Sequence, residues 1–133
     1  HGHTYKVGAS LQLEVCELGL NFDYRKFKSA LRAICKELNT IFLIPSESSY
    51  LDVHSVGDCW EITFASKKMQ LLKGDVLLLP LANITIELLS GYILRRFIDA
   101  NDWLPSCGVS QLEVCVANTD LQSSSAEHDF TRE

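Results

Sequence analysis

Two histidines one residue apart, His1 and His3, are the side chains of this sequence best placed to do chemistry. On a β-strand, residues i and i+2 point to the same face, so both imidazoles reach one ion. Neutral imidazole suits zinc, and a catalytic zinc takes three protein ligands and keeps one position open. The plainer reading of the pair is exposed terminal histidines. The remaining histidines, His54 and His128, fall near a strand end and in the C-terminal segment, where an isolated imidazole is most often a surface group. The five cysteines, Cys16, Cys35, Cys59, Cys107 and Cys115, are odd in number and include no CxxC pair. Neither a disulfide framework nor a cysteine zinc site is indicated, and reduced thiols point to a cytoplasmic protein. Cys35 and Cys115 lie in apolar patterns and are expected in the core. Glu87 stands in the first turn of a predicted helix. A carboxylate there either contacts a ligand or complements the helix dipole.

The elements that carry these residues follow from periodicity. From Thr4 to Cys16, Tyr5, Val7, Ala9, Leu11, Leu13 and Val15 alternate with polar or small residues, the period-two pattern of a half-buried strand, with a bend expected near Gly8. Phe27, Leu31, Ile34, Cys35 and Leu38 recur at helical spacing and predict an amphipathic helix from about Asp23 to Leu38. Its charges Arg25, Lys26, Lys28, Arg32 and Lys36 read as a solvated face. Tyr50–His54 and Cys59–Ala65 read as strands around a turn containing Gly57, with Lys67 and Lys68 opening another turn. A second helix is expected from Thr85, as cap, to Ala100, and a final strand over Val109–Ala117. Residues 121–133 are polar and serine-rich, and are expected to form a mobile tail beyond about Ala126. The order of elements predicts an α+β fold: one domain over 1–133, with an antiparallel sheet and two helices on one face.

Composition narrows the function classes. The chain has 133 residues and a formal net charge of −5, which argues against a generic nucleic-acid surface while leaving room for a local basic pocket for a phosphorylated small molecule. No apolar run approaches the roughly 20 residues that span a bilayer, so no membrane partner is expected.

Five segments in order resemble one family. His1-Gly2-His3-Thr4-Tyr5-Lys6-Val7 is similar to the His-Gly-His-x-Tyr-x-Val strand of the 6-pyruvoyl- and 6-carboxy-tetrahydropterin synthases. Phe22-Asp23-Tyr24 with Lys28 resembles their Asp-Phe…Lys helix start, and Leu38 to Pro45 their Leu-Asp-His-x-Phe-Leu-x-Pro segment. Leu79-Pro80 with Asn83 to Glu87 resembles Leu-Pro…Asn-x-Thr-x-Glu, and Val114 to Thr119, with Gln122 and Ser124, the closing Val-x-Val-x-Glu-Thr strand and its exit loop. The resemblance implies a tunnelling fold and subunits forming trimers or dimers of trimers. It also implies sites between subunits, zinc on three histidines, and 7,8-dihydroneopterin triphosphate as substrate. By this resemblance His1 and His3 match two zinc ligands, while Thr85, Glu87 and Asn118 are the pocket candidates. In the family the first ligand lies on a strand preceding the His-Gly-His motif and the catalytic cysteine also lies upstream of that motif; the sequence from His1 onward is expected to lack that strand, and none of its five cysteines stands in the place of that cysteine.

The sequence departs from the family at three internal positions. Asn39 and Thr40 occupy the Asp-His pair that moves protons during rearrangement. An amide has no proton to exchange, and a hydroxyl is too weakly acidic without an activating base. Asn118 occupies the position of the glutamate that anchors the pterin. A carboxylate accepts two hydrogen bonds from a 2-amino-pyrimidinone edge, whereas an amide offers one acceptor and one donor. Three functions follow: a pterin-forming lyase with an altered proton relay; a catalytically silent subunit that binds a pterin- or purine-like ligand or joins an oligomer; and an aldol-type side-chain cleavage, which lacks a nameable base.

Overall fold

A computed structural model describes residues 3–14, 22–119 and 121–132. Contacts divide the chain into two compact units, one formed by His1–Glu37 with Ile86–Glu133 and the other by Leu38–Thr85.

The first unit is a three-stranded antiparallel sheet in the order β1-β7-β8, from β1 (Lys6–Leu13), β7 (Val109–Ala117) and β8 (Ser123–Asp129). Helices α1 (Tyr24–Leu38) and α2 (Ile86–Ala100) cover one face. Leu112, Val114 and Val116 of β7 are buried on that face, as period two requires. Phe27 of α1 and Phe97 of α2 meet with ring centroids 5.2 Å apart, and Phe97 is wholly buried. Phe22 packs against Tyr24, Phe27 and Trp103, and Lys26 lies over the Trp103 ring. Helix α1 starts where Asp23 accepts backbone N–H bonds from Arg25 (3.0 Å) and Lys26 (3.3 Å), an N-cap that satisfies two of the first turn's free donors. Glu37 and Arg96 tie the helices with a two-pronged bond of 2.7 and 2.8 Å.

The second unit holds a parallel pair, β2 (Phe42–Pro45) with β6 (Val76–Leu79), and a three-stranded antiparallel sheet in the order β3-β4-β5. Those strands are Asp52–Val56, Cys59–Phe64 and Lys67–Leu72. Its core is Ile44, Ile62 and Val76, packed by Leu51, Val53, Trp60, Leu71 and Leu78.

The α+β class, both helices and the span of β7 agree with the sequence pattern. Five details correct it. The first strand begins at Lys6 rather than Thr4, and its irregularity falls between Gln12 and Leu13, not at Gly8. There the Glu14 N–H reaches the Gly108 carbonyl at 3.1 Å, and Gly108 sits at φ 82° against the Glu14 backbone, where a side chain would be strained. The β2–β6 pair is parallel, because the long β3–β5 excursion between its strands provides the crossover that parallel pairing needs. Lys67 and Lys68 begin β5 instead of a turn; the reversal is made by Ala65 and Ser66, at φ 46° and 69°. Residues 123–129, read as tail, form β8, whose low strand propensity is overridden by pairing along β7. Cys35 and Cys115 are half-buried, and Cys115 lies on the sheet face away from the helices, between Gly8 and Ser125.

Candidate functional site

The register gathers part of the expected site at one end of the β1-β7-β8 sheet. Lys6 pairs with Ala117 and Ala117 with Ser123. His3, three residues before Lys6, and Asn118, one after Ala117, therefore belong to the same sheet end. His3 is exposed and precedes the strand, its ring 6.3 Å from that of Tyr5. His1 lies outside the described residues.

Asn118 is held by the turn it opens. Its backbone N–H donates to the Gln122 carbonyl at 3.0 Å, its Nδ2 donates to Gln122 Oε1 at 3.2 Å, and its Oδ1 accepts the Gln122 N–H at 3.2 Å. The amide supplies both a donor and an acceptor to this closure, which a carboxylate could not do. Residue 118 thus builds the β7–β8 connection. Gln122 is the partner that the sequence motif alone did not single out for this role; its spacing of four residues across a turn is the available signal.

Glu87 is exposed in the first turn of α2, and its backbone carbonyl accepts a 2.8 Å bond from the buried Ser90 hydroxyl. Its carboxylate is therefore presented outward while its backbone is fixed. Thr85 occupies the position immediately before α2. Asn39 and Thr40 follow the last residue of α1 and are both exposed. Thr40 is left-handed at φ 56°, an uncommon conformation for a β-branched residue and the usual one for the residue that ends a helix. His54 pairs with Glu61 across β3–β4. His128 lies on β8, its ring 4.6 Å from Phe130.

A catalytic zinc needs three protein ligands, and no group of three His, Cys, Asp or Glu side chains that could hold a metal occurs among the described residues. These residues alone do not fit the ion: a three-ligand zinc site that included His3 would need two further donors. Cys35 is no ready thiolate, since burial pushes its thiol above the usual range.

With this geometry in place, the relatives of the chain define its class. No family model matches it. Over 99 residues it is 30% identical to a Pyrococcus horikoshii protein assigned as a 6-carboxy-5,6,7,8-tetrahydropterin synthase, an alignment covering 74% of this chain and 58% of that protein. The chain thus spans little more than half the length of this curated relative. The crystal structure of 6-pyruvoyl tetrahydropterin synthase from Plasmodium vivax superposes with a TM-score of 0.91 at 26% identity, over 98% of this chain and 82% of that one. The Plasmodium falciparum enzyme gives 0.90 at 22% identity over the same shares. The chain belongs to the 6-pyruvoyl-/6-carboxy-tetrahydropterin synthase family. No described helix is long and apolar enough to cross a membrane.

Proposed function

We propose that the chain is a tetrahydropterin-synthase-type subunit that takes 7,8-dihydroneopterin triphosphate, eliminates triphosphate and rearranges the side chain, with zinc as its metal and a trimer or dimer of trimers as its working form. The observation that carries this reading is the superposition on the Plasmodium vivax synthase along 98% of the chain. Two residues have defined parts in it. Glu87 offers a carboxylate to the donor edge of the ring, and such a charge-assisted pair is worth roughly 1.5–3 kcal/mol. His3 offers one imidazole from the same sheet end as Asn118. Asn39 and Thr40 move no proton, so the relay has to come from groups other than this pair. Variants of the Plasmodium vivax protein substituted at a catalytic glutamate are known as structures, so a glutamate is a catalytic residue in that neighbour.

Asn118 favours a second reading, a catalytically silent ligand-binding or oligomerisation subunit, because its amide is engaged in closing a turn. One experiment separates the two. The intact protein is incubated with dihydroneopterin triphosphate and zinc, and triphosphate release is measured beside a variant carrying Asn39→Asp, Thr40→His and Asn118→Glu. Release above background by the parent supports the synthase reading. A silent parent beside an active variant supports the silent subunit. If the parent is active, Glu87→Gln should lower kcat/KM by about 10- to 150-fold, the kinetic equivalent of losing that pair.

A further inference from the structure

Glu113 of β7 and Glu127 of β8 are direct partners in the antiparallel register, with Ser10 of β1 opposite Glu113 on its other side. All three belong to the sheet face that the helices leave open, and the same row lines a shallow cleft with Gln12 and Gln111. Two like charges directly opposite each other destabilise a strand pair. In the next row, Gln12–Gln111–Asp129, the single carboxylate faces a neutral amide and is met by donors: the hydroxyl of Thr131 bonds Asp129 Oδ1, the Thr131 N–H reaches it at 2.9 Å, and Arg132 Nε lies 3.3 Å from Oδ2. Among the described residues, no Lys or Arg is paired with Glu113 or Glu127. Among the described residues, the other charged groups on this face are Lys6, two rows away at the site end, Glu14, which follows Gln12 beyond the end of β1, and the Asp129–Arg132 pair; the Cys115 thiol is a further titratable group one row away.

We propose that Glu113 and Glu127 hold one hydrogen between them and so make the seating of β8 on β7 pH-sensitive, firm in mildly acidic solution and loosened as both carboxyls ionise. A hydrogen bond to Glu113 raises the Glu127 carboxyl above the usual glutamate range. The bonds from Thr131 hold Asp129 below the usual aspartate range. The signs are opposite. A raised carboxyl contributes stability below its unfolded value and loses it as pH rises through its folded value. A lowered one contributes above its unfolded value and loses it as pH falls through its folded value. β8 is therefore held best in the window where Asp129 is ionised and Glu127 still carries its hydrogen. Because β8 begins directly after the Asn118–Gln122 turn, loosening it as Glu127 ionises bears on the strand that anchors one side of that turn. This inference rests on the β7–β8 register and is independent of the proposed catalytic reading.

The test is a side-chain carboxyl ¹³C NMR titration of the full chain, with amide exchange of β8 corrected for its intrinsic pH dependence. The Glu127 resonance is expected to titrate above the range of free glutamate, and in Glu113→Gln to return to it. β8 protection is expected to fall as pH rises through the Glu127 midpoint, and to lose this step in Glu127→Gln. A Glu127 resonance that titrates in the ordinary range, or does not move in Glu113→Gln, overturns the proposal. If Glu127→Gln fails to fold, the Glu113→Gln titration decides by itself.

Discussion

The two compact units place their strands in different surroundings. The β1-β7-β8 sheet lies under two helices, and its inner positions Leu112, Val114 and Val116 are at most 1% exposed. The β3-β4-β5 sheet leaves Val56, Phe64, Met69 and Leu72 between 45% and 57% exposed. Stability in the first unit therefore resides in side-chain burial, whereas the second rests more on backbone pairing and on how its turns are closed. The turns differ as well. At the β7–β8 connection the Asn118 side chain bonds Gln122 across the turn. The β4–β5 reversal places Ala65 and Ser66 in the left-handed region.

The largest effect that would sharpen the contrast is a cavity. Phe97→Ala removes a wholly buried ring in contact with Phe27 and should cost about 3–5 kcal/mol. Ile62→Ala in the second core, 4% exposed, should cost less, about 2–3 kcal/mol, because its neighbours Val53, Trp60 and Leu71 are only partly buried and can close around the gap. Trp103 reports on the first unit and Trp60 on the second, so denaturant unfolding followed in single-tryptophan variants reads each locally. Equal losses at the two sites would remove the distinction.

Turn chemistry should act in the opposite direction. Phe64 pairs with Lys67, so Ala65 and Ser66 alone make the reversal, both with positive φ. This is a two-residue hairpin turn of the kind that favours Asn-Gly. Replacing Ala65 with Asn and Ser66 with Gly should stabilise the second unit by roughly 1–2 kcal/mol, since a left-handed L-residue costs about that much. The Trp60 transition should move to higher denaturant and the Trp103 transition should move less. A change of the same size at both reporters would show that turn strain is not confined to the second unit.

These particulars also explain what could be read without the structure. Strong period-two and period-3.6 patterns identified β1, β7, α1 and α2, because each buries one face against a core. β5 and β8 carried no such signal. β5 follows a turn without glycine or asparagine and opens on two lysines; β8 presents serines, a glutamate and a histidine, and is ordered by its partner rather than by its own composition. Missing β8 also hid the Glu113–Glu127 pair, which exists only through strand register. Among the site residues, the side-chain chemistry of Asn39, Thr40 and Asn118 was legible from residue type alone. That Asn118 is engaged by Gln122 was not, because a hydrogen bond across a turn depends on the backbone path.

Thr40 links the two questions of stability and site, and its expected effect is the smallest. It directly follows Asn39 beyond the end of α1, at φ 56°, where glycine meets no steric penalty but has more backbone entropy to lose. Thr40→Gly should therefore stabilise the fold by about 0.5–1 kcal/mol, the difference between relieved strain and added chain entropy. The same substitution discards the side chain that the sequence resemblance sets in place of the histidine of the family's Asp-His pair. If the hydroxyl has no part in turnover, Thr40→Gly raises the unfolding midpoint and leaves triphosphate release unchanged. A gain in stability with a loss of release would mean that strain is maintained at this position to present the hydroxyl, and that the proton relay still passes through residue 40.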